Sequence, residues 1–194
     1  MLPSICVLSD SKSADKKIND ILKQCIDNGA NWIAIREYDL DESELQNLCE
    51  EIIKYGESTG TLISVWNNSK IAEDLQIGLH QSIDNLDTSI KNNLGYDSPL
   101  GVSTHNETEM TQARGSDYIT LSPVFDSISK NGYTGFGLDK LSSLAMYSNT
   151  PVFAMGGIDE SNIDSVFEAG VYGAFLCGSV MKNPDILKSL NEYL

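Results

Sequence analysis

The feature of this sequence that most restricts its fold is an alternation of apolar runs with amphipathic segments, repeated eight times along the chain. The apolar runs lack a period-two pattern, which is typical of parallel strands buried on both faces. They cover residues 4–10, 31–38, 61–67, 77–82, 99–105, 117–123, 151–157 and 173–179. Helical spacing is found over residues 14–28, 42–55, 69–75, 86–93, 107–113, 138–147, 161–169 and 185–193. Eight such units predict an α/β fold, a single compact (β/α)8 TIM barrel over residues 1–194.

Two segments depart from this regular pattern. Residues 83–98 are rich in Asn and Asp, so the fourth unit is predicted to be the least regular. Residues 125–137 form a long connection rich in Gly and Ser after the sixth strand. A long loop at the C-terminal face of a barrel is typical of a lid over an active site.

The composition narrows the class of partner. A net charge of −15 argues against binding to nucleic acid or to anionic membranes. No apolar stretch approaches the roughly 20 residues that a membrane span needs, and the N-terminus lacks the basic region of a signal peptide. The four cysteines are widely separated, which favours buried reduced thiols over a metal site or disulfides. These features predict a cytoplasmic protein. The sequence is also compatible with a homo-oligomer.

Small residues follow the last two strands, where this fold commonly binds phosphate. Gly156 and Gly157 end the seventh strand, and Gly178 and Ser179 end the eighth. Turns without side chains leave backbone N–H groups exposed, and such groups bind anions. The alternative is that these glycines only form tight turns. Their coincidence on neighbouring strands favours a phosphate site.

Both histidines of the chain fall at strand ends on neighbouring strands. His105 is predicted as a general acid/base, because the unperturbed pKa of histidine lies near neutrality. His80 is predicted as a substrate contact, and the alternative is a packed strand end. Asn67, which follows Trp66 at the end of the third strand, is a further candidate contact.

The sequence has few cationic residues, so those near strand ends are the main candidates for binding an anion. Arg36 follows the second strand and could bind phosphate or carboxylate as a fork, or form a salt bridge with Glu37 or Asp39 at the rim. Lys130 could close over an anion or be a solvated surface charge. Ser127 and Ser129 flank it and offer hydroxyl groups.

Three segments, DYITLSPVFDSISK, PVFAMGGI and GAFLCGSVM, resemble the thiamine phosphate synthase superfamily, which includes the TenI-type thiazole tautomerases. IRE at 35–37, GLHQ at 78–81 and GVSTH at 101–105 support the resemblance, which covers essentially the whole chain. It implies a (β/α)8 barrel in thiamine biosynthesis. Synthases join a thiazole phosphate to a pyrimidine pyrophosphate with Mg²⁺ and release pyrophosphate. Tautomerases aromatise a thiazole carboxylate phosphate without metal.

The resemblance also implies roles for individual residues. The phosphate cradle falls on Gly157, Gly178 and Ser179, and a substrate contact falls on Ser103. The pyrophosphate-binding residues of synthases correspond to Arg36 and to Ser127, Ser129 and Lys130. The proton-transfer histidine of tautomerases corresponds to His105, which many synthases also carry.

The sequence departs from the synthase pattern at two strand ends. Ala34 and Tyr38 stand where synthases have Gln and Lys on the second strand. Trp66 and Asn67 stand where they have Asn and the magnesium-binding Asp on the third. Asp84 is the nearest remaining acid, and a hard dication prefers anionic oxygen ligands. The residues therefore predict no protein-held metal, with Mg²⁺ required only if the synthase alternative holds.

These departures set the order of the functional hypotheses. The leading one is an enzyme that binds a thiazole phosphate and transfers a proton through His105 without metal, as tautomerases do. The alternative is a thiamine phosphate synthase with a rearranged magnesium site. A non-catalytic barrel that binds a phosphorylated metabolite is a third, favoured by Trp66 at a substrate position. An unrelated phosphate-binding epimerase or aldolase is a fourth, and the scarcity of strand-end lysines counts against a Schiff-base aldolase.

Overall fold

A computed structural model describes residues 1–126 and 134–194 and contains a closed barrel of eight parallel strands in chain order. Each strand pairs with the next, and β8 pairs with β1. The strands are β1 Ile5–Leu8, β2 Trp32–Ile35, β3 Leu62–Trp66, β4 Gly78–Ser82, β5 Leu100–Thr104, β6 Tyr118–Leu121, β7 Val152–Met155 and β8 Gly173–Leu176. This architecture confirms the predicted (β/α)8 barrel.

The helices pack outside the strands through apolar faces. They are α1 Ile18–Asp27, α2 Glu42–Gly56, α3 Ser69–Leu75, α4 Glu107–Gln112, α5 Leu138–Tyr147, α6 Ile163–Glu168, α7 Gly178–Lys182 and α8 Ile186–Ser189. In α2 the side chain of Asp41 accepts from the N–H of Glu44, whose side chain accepts from the N–H of Asp41. This capping box fixes the start of the helix. None of the helices in the described ranges is long and apolar enough to span a bilayer.

The fourth unit is irregular, as its composition predicts. The sequence predicts a helix over residues 86–93, but the structure has two 3-10 helices, Ile83–Asn85 and Thr88–Asn93. The side chain of Asp87 accepts from the N–H of Ser89 at 3.0 Å, which stabilises a local turn in place of an α-helix. The eighth unit also differs, because α7 begins directly after β8, where the sequence predicts only a strand end.

Large rings fill the interior of the barrel towards the N-terminal ends of the strands. Trp32 packs edge-on against Tyr118, Phe153 and Phe175, with ring centroids 5.0 to 5.4 Å apart. A Cβ atom at Gly101 would overlap the ring of Tyr118. The absence of a side chain at that position therefore makes room for the ring. This packing closes the barrel below its C-terminal end, where the polar residues lie.

Candidate active site

Most of the predicted site residues that the structure describes lie at the C-terminal end of the barrel. Arg36 and Asn67 directly follow β2 and β3, and His105 follows β5. Within the strands, Ser103 is the residue before the end of β5, whereas His80 lies in the middle of β4. Ser127, Ser129 and Lys130 lie outside the described residues. The barrel thus brings the described candidates to one face.

The turn after β7 has a backbone that only glycine adopts readily. Gly156 and Gly157 have φ angles of +104° and +67°. A Cβ atom at Gly156 would lie 2.9 Å from the Cα of Pro123, and one at Gly157 would lie 2.7 Å from the carbonyl oxygen of Asp126. Phe125 also donates its N–H to the carbonyl oxygen of Gly156 at 3.1 Å. The turn is therefore packed tightly against the start of the 125–137 loop.

The start of α7 lies beside this turn. Gly178 and Ser179 are its first residues, so their N–H groups have no acceptor within the helix. A Cβ atom at Gly178 would meet nothing within 4 Å, so the space there is open. The hydroxyl of Ser179 donates to the carbonyl oxygen of Ile158 at 3.0 Å, which leaves its N–H group as the donor for a ligand. These groups can accommodate an anion.

Arg36 has no carboxylate within ion-pair distance in the described part of the chain. Its guanidinium lies over the Trp66 ring, 5.5 Å from the centroid, and donates to the Cys177 sulfur at 3.6 Å. Burial raises the pKa of Cys177 to about 11, so this partner is a neutral thiol. Of the two acids considered in the sequence, Asp39 pairs with Lys12 at 3.0 Å. Oε2 of Glu37 accepts the N–H of Ser11 at 3.1 Å, and its buried Oε1 has no partner in the described structure. The charge of Arg36 is therefore available to an anion.

His80 is completely buried. Its Nδ1 lies 2.9 Å from the hydroxyl oxygen of Tyr118, and its Nε2 lies 2.9 Å from the hydroxyl oxygen of Ser103. Its ring stacks on Trp66 at 3.8 Å. Burial, with a smaller contribution from Arg36, holds the pKa of His80 well below its usual value. His80 is therefore a neutral residue beneath the site.

His105 is half-exposed and is oriented by Glu109, one turn along α4. Its Nδ1 lies 2.8 Å from Oε2 of Glu109, which also accepts the backbone N–H of His105 at 2.8 Å. Burial opposes ionisation of Glu109, but the hydrogen bonds and charge of His105, with a hydrogen bond from Asn106, outweigh it and lower its pKa. Within the described residues Nε2 of His105 has no hydrogen-bond partner. A histidine oriented by a carboxylate in this way is suited to proton transfer.

The end of β3 does not supply the carboxylates that a magnesium ion prefers. Oδ1 of Asn67 accepts the N–H of Ser82 at 2.7 Å, and Oδ1 of Asn68 accepts the N–H of Ile71 at 3.0 Å. Asp84 is exposed in the first 3-10 helix. Residues 1–126 and 134–194 contain no group of three His, Cys, Asp or Glu side chains suited to a metal. The described residues therefore do not fit a protein-held Mg²⁺ ion.

Sequence reasoning missed several residues that shape the site. Glu109 lies four positions after His105 on a predicted helix, and this spacing could have revealed it. Tyr118 lies on β6 and Ser122 directly follows it, but the sequence does not reveal that Tyr118 contacts His80. The hydroxyl of Ser122 is buried and has no partner in the described structure.

Comparisons with known proteins agree with the fold and identify the family. The profile of the thiamine monophosphate synthase family (TMP-TENI) matches residues 5–180. A thiamine-phosphate synthase of Methanococcus maripaludis strain C6 is 26% identical, with 97% of this chain and 93% of the relative covered. One from Clostridium botulinum strain Hall is 25% identical, with 92% and 90% covered.

Solved structures show the same fold at lower identity. A thiamine phosphate pyrophosphorylase from Pyrococcus furiosus superposes with a TM-score of 0.83 at 20% identity, covering 97% of this chain and 95% of that one. A structure described as native KDPGal has a TM-score of 0.69 at 18% identity, covering 99% and 96%. The family profile covers most of the chain and includes the strand ends that form the site. The chain therefore belongs to the thiamine monophosphate synthase family and is an enzyme of the synthase/TenI type.

Proposed function

We propose that this enzyme joins a thiazole phosphate to a pyrimidine pyrophosphate, which forms thiamine phosphate and releases pyrophosphate. The relatives that match along nearly the whole chain carry the name thiamine-phosphate synthase. The departures at the strand ends favour a tautomerase. The names of these relatives favour a synthase, and we give them more weight. A cytoplasmic location belongs to the same proposal.

The observation that carries the proposal is the guanidinium of Arg36, which has no carboxylate partner in the described structure. It lies over the Trp66 ring, 5.5 Å from the centroid, and contacts Cys177 directly before α7. We assign the thiazole phosphate to the N–H groups of Gly157, Gly178 and Ser179, and the pyrophosphate to Arg36. Charge-assisted hydrogen bonds from Arg36 would stabilise the negative charge that develops on the leaving group.

The 125–137 loop completes the proposed pyrophosphate site. Ser127, Ser129 and Lys130 remain predicted ligands on the basis of the resemblance. The start of this loop, residues 125 and 126, packs tightly against Gly156 and Gly157, which supports the assignment. Mg²⁺ is implied by the resemblance, but the described residues do not fit it.

The second candidate function is a thiazole tautomerase, and one specific observation favours it. His105 is held by Glu109, and amide side chains at the end of β3 replace the expected acid. In that reaction His105 would be the catalytic residue that moves a proton on the thiazole carboxylate phosphate, and Arg36 would bind the carboxylate.

One set of assays distinguishes the two functions. The purified protein is given thiazole phosphate and pyrimidine pyrophosphate, with and without Mg²⁺, and thiamine phosphate is quantified. We expect product from the wild type, and a large loss of activity in Arg36→Ala and Lys130→Ala. No product above background would overturn the proposal. Metal-independent aromatisation of thiazole carboxylate phosphate that is lost in His105→Ala would establish the second candidate instead.

A further inference from the structure

A chain of buried hydrogen bonds runs across three strands directly beneath the site. It contains Tyr118 on β6, His80 on β4 and Ser103 on β5, with both ring nitrogens of His80 at 2.9 Å from a hydroxyl oxygen. Heavy-atom positions alone do not say which group donates at each contact, because a neutral imidazole has two tautomers. The groups around these three residues determine which atom donates in each hydrogen bond.

The direction is set at Tyr118. Burial raises the pKa of its phenol well above the usual value, so the hydroxyl keeps its proton. In the described part of the chain, Nδ1 of His80 is the single hydrogen-bond partner of that hydroxyl. A buried O–H group without an acceptor is unfavourable. Tyr118 therefore donates its proton to Nδ1 of His80.

The tautomer of His80 follows from that donation. The imidazole is neutral, because burial and the nearby charge of Arg36 both disfavour a second proton. With Nδ1 accepting, its one ring proton lies on Nε2, from which it is donated to the hydroxyl oxygen of Ser103. Stacking on Trp66, with centroids 3.8 Å apart and an interplanar angle of 23°, fixes the plane of the ring.

The hydroxyl of Ser103 accepts hydrogen bonds from protein groups and can still donate one. Its Oγ accepts from His80 and, in a longer contact of 3.5 Å, from the hydroxyl of Thr120. Its own O–H has no acceptor among the described residues. Ser103 lies one residue before the end of β5, on the inward face of the barrel.

We propose that Tyr118 and His80 are positioning residues that make the Ser103 hydroxyl a hydrogen-bond donor to the ligand. The ligand atom at Ser103 must then carry a lone pair, as an unprotonated ring nitrogen or a carboxylate oxygen does. An N–H or O–H group of a ligand fits less well there, because the Ser103 oxygen already accepts from His80 at 2.9 Å and has the longer contact with Thr120 at 3.5 Å. His80 acts only through Ser103. The identity of the ligand rests on the proposed function, whereas the direction of the hydrogen bonds does not.

The direction is tested without ligand. Long-range ¹H–¹⁵N NMR of the protein labelled at histidine distinguishes the tautomers, and a His105→Gln variant assigns the two signals. We expect His80 to remain neutral with its proton on Nε2 between about pH 6 and 8, on both sides of the usual histidine pKa. A proton on Nδ1, or an imidazolium in that range, would overturn the proposal.

The role of the donor is tested with two isosteric variants and thiazole phosphate as the probe in calorimetry. In His80→Gln the side-chain amide nitrogen can take the place of Nε2 and still donate to Ser103, whereas in His80→Asn it is too short to reach. We expect His80→Gln to bind within about threefold of the wild type, and His80→Asn and Ser103→Ala to lose about tenfold each.

The double variant shows whether His80 acts through Ser103 or whether its substitution disrupts the site in general. Combining His80→Asn with Ser103→Ala should weaken binding no further than Ser103→Ala alone, because both remove the same donor. Additive losses, or wild-type binding by His80→Asn, would contradict the proposal. If the wild type itself does not bind thiazole phosphate, the proposed function fails, and the tautomer of the free protein still decides the direction.

Discussion

The two halves of the barrel interior are built differently. Towards the N-terminal ends of the strands, Trp32, Phe153, Phe175 and the Tyr118 ring interlock, with centroids between 5.0 and 5.9 Å apart. Above them, Arg36 covers Trp66, which stacks on His80, and polar contacts replace apolar ones. Tyr118 belongs to both halves, since its ring packs below and its hydroxyl donates above. The comparison indicates that the lower half stabilises the barrel and the upper half holds the site.

The two outer ends of the barrel also differ in charge. At the N-terminal end, a groove of about 950 Å³ is lined by Leu62, Pro99 and Tyr172, among others. Its lysine, Lys91, is paired with Asp117 at 2.5 Å. At the C-terminal end, Arg36 has no such partner in the described residues. The groove is therefore a poorer receptor for an anion than the C-terminal end of the barrel, which we call the mouth.

The largest expected effect is a loss of stability when a methyl group is added in the lower half of the barrel interior. Gly101→Ala should destabilise the protein by about 3 kcal/mol, because the new Cβ overlaps the Tyr118 ring in a packed interior. Urea denaturation measures the change. Gly178→Ala is the matched control and should shift the free energy of unfolding by about 0.5 kcal/mol or less, since its Cβ meets open space. Equal effects at the two positions would remove the distinction between the halves.

The next effect is on anion binding at the mouth. Arg36→Ala should weaken the binding of pyrophosphate by about 10- to 100-fold, the range for loss of a charge-assisted hydrogen bond. Calorimetry measures it, with Lys91→Ala at the opposite end as the control. If Lys91→Ala weakens pyrophosphate binding as much as Arg36→Ala, the anion site has been placed at the wrong end.

A third effect concerns pH. The unfolded chain binds a proton at His80 below about pH 6.5, whereas the folded protein holds that histidine neutral. Stability should therefore fall as the pH drops below that value, by about 2 kcal/mol between pH 6.5 and 5. His80→Gln should lack this part of the pH dependence, and denaturation curves at several pH values measure it. Parallel curves for wild type and variant would show that His80 is charged in the folded state.

The smallest effect tests the backbone donors. Gly178→Ala should weaken binding of thiazole phosphate by roughly threefold to tenfold, because its methyl group narrows the approach to the first N–H groups of α7. Its stability should be unchanged, as stated above. Unaltered affinity would argue that the phosphate does not lie against Gly178.

Much of the fold could be predicted because burial on both faces gives strands a recognisable pattern. The eight strands and the C-terminal location of Arg36 and His105 follow from that pattern, whereas His80 lies in the middle of β4 and not at its end. The irregular fourth unit was predicted from its composition, but its 3-10 form depends on local bonds such as the one from Ser89 to Asp87. The helix at Gly178 was missed, because a short run after a strand has too few residues to show a period.

The internal contacts of the site could not be predicted, since they join residues far apart in the chain. Tyr118 and His80 are 38 positions apart, and Cys177 and Arg36 are 141 apart. The sequence predicted that Trp66 enters the site, but not that it lies between Arg36 and His80. The structure supports the assignment of Arg36 to an anion, because neither of the two acidic partners proposed from the sequence forms an ion pair with it.

The most direct test of the account is a crystal structure with thiazole phosphate bound. We predict that the phosphate lies at the C-terminal end of the barrel, with its oxygens about 3 Å from the N–H groups of Gly157, Gly178 and Ser179. A phosphate bound in the N-terminal groove, or a mouth that stays empty at saturating ligand, would contradict it.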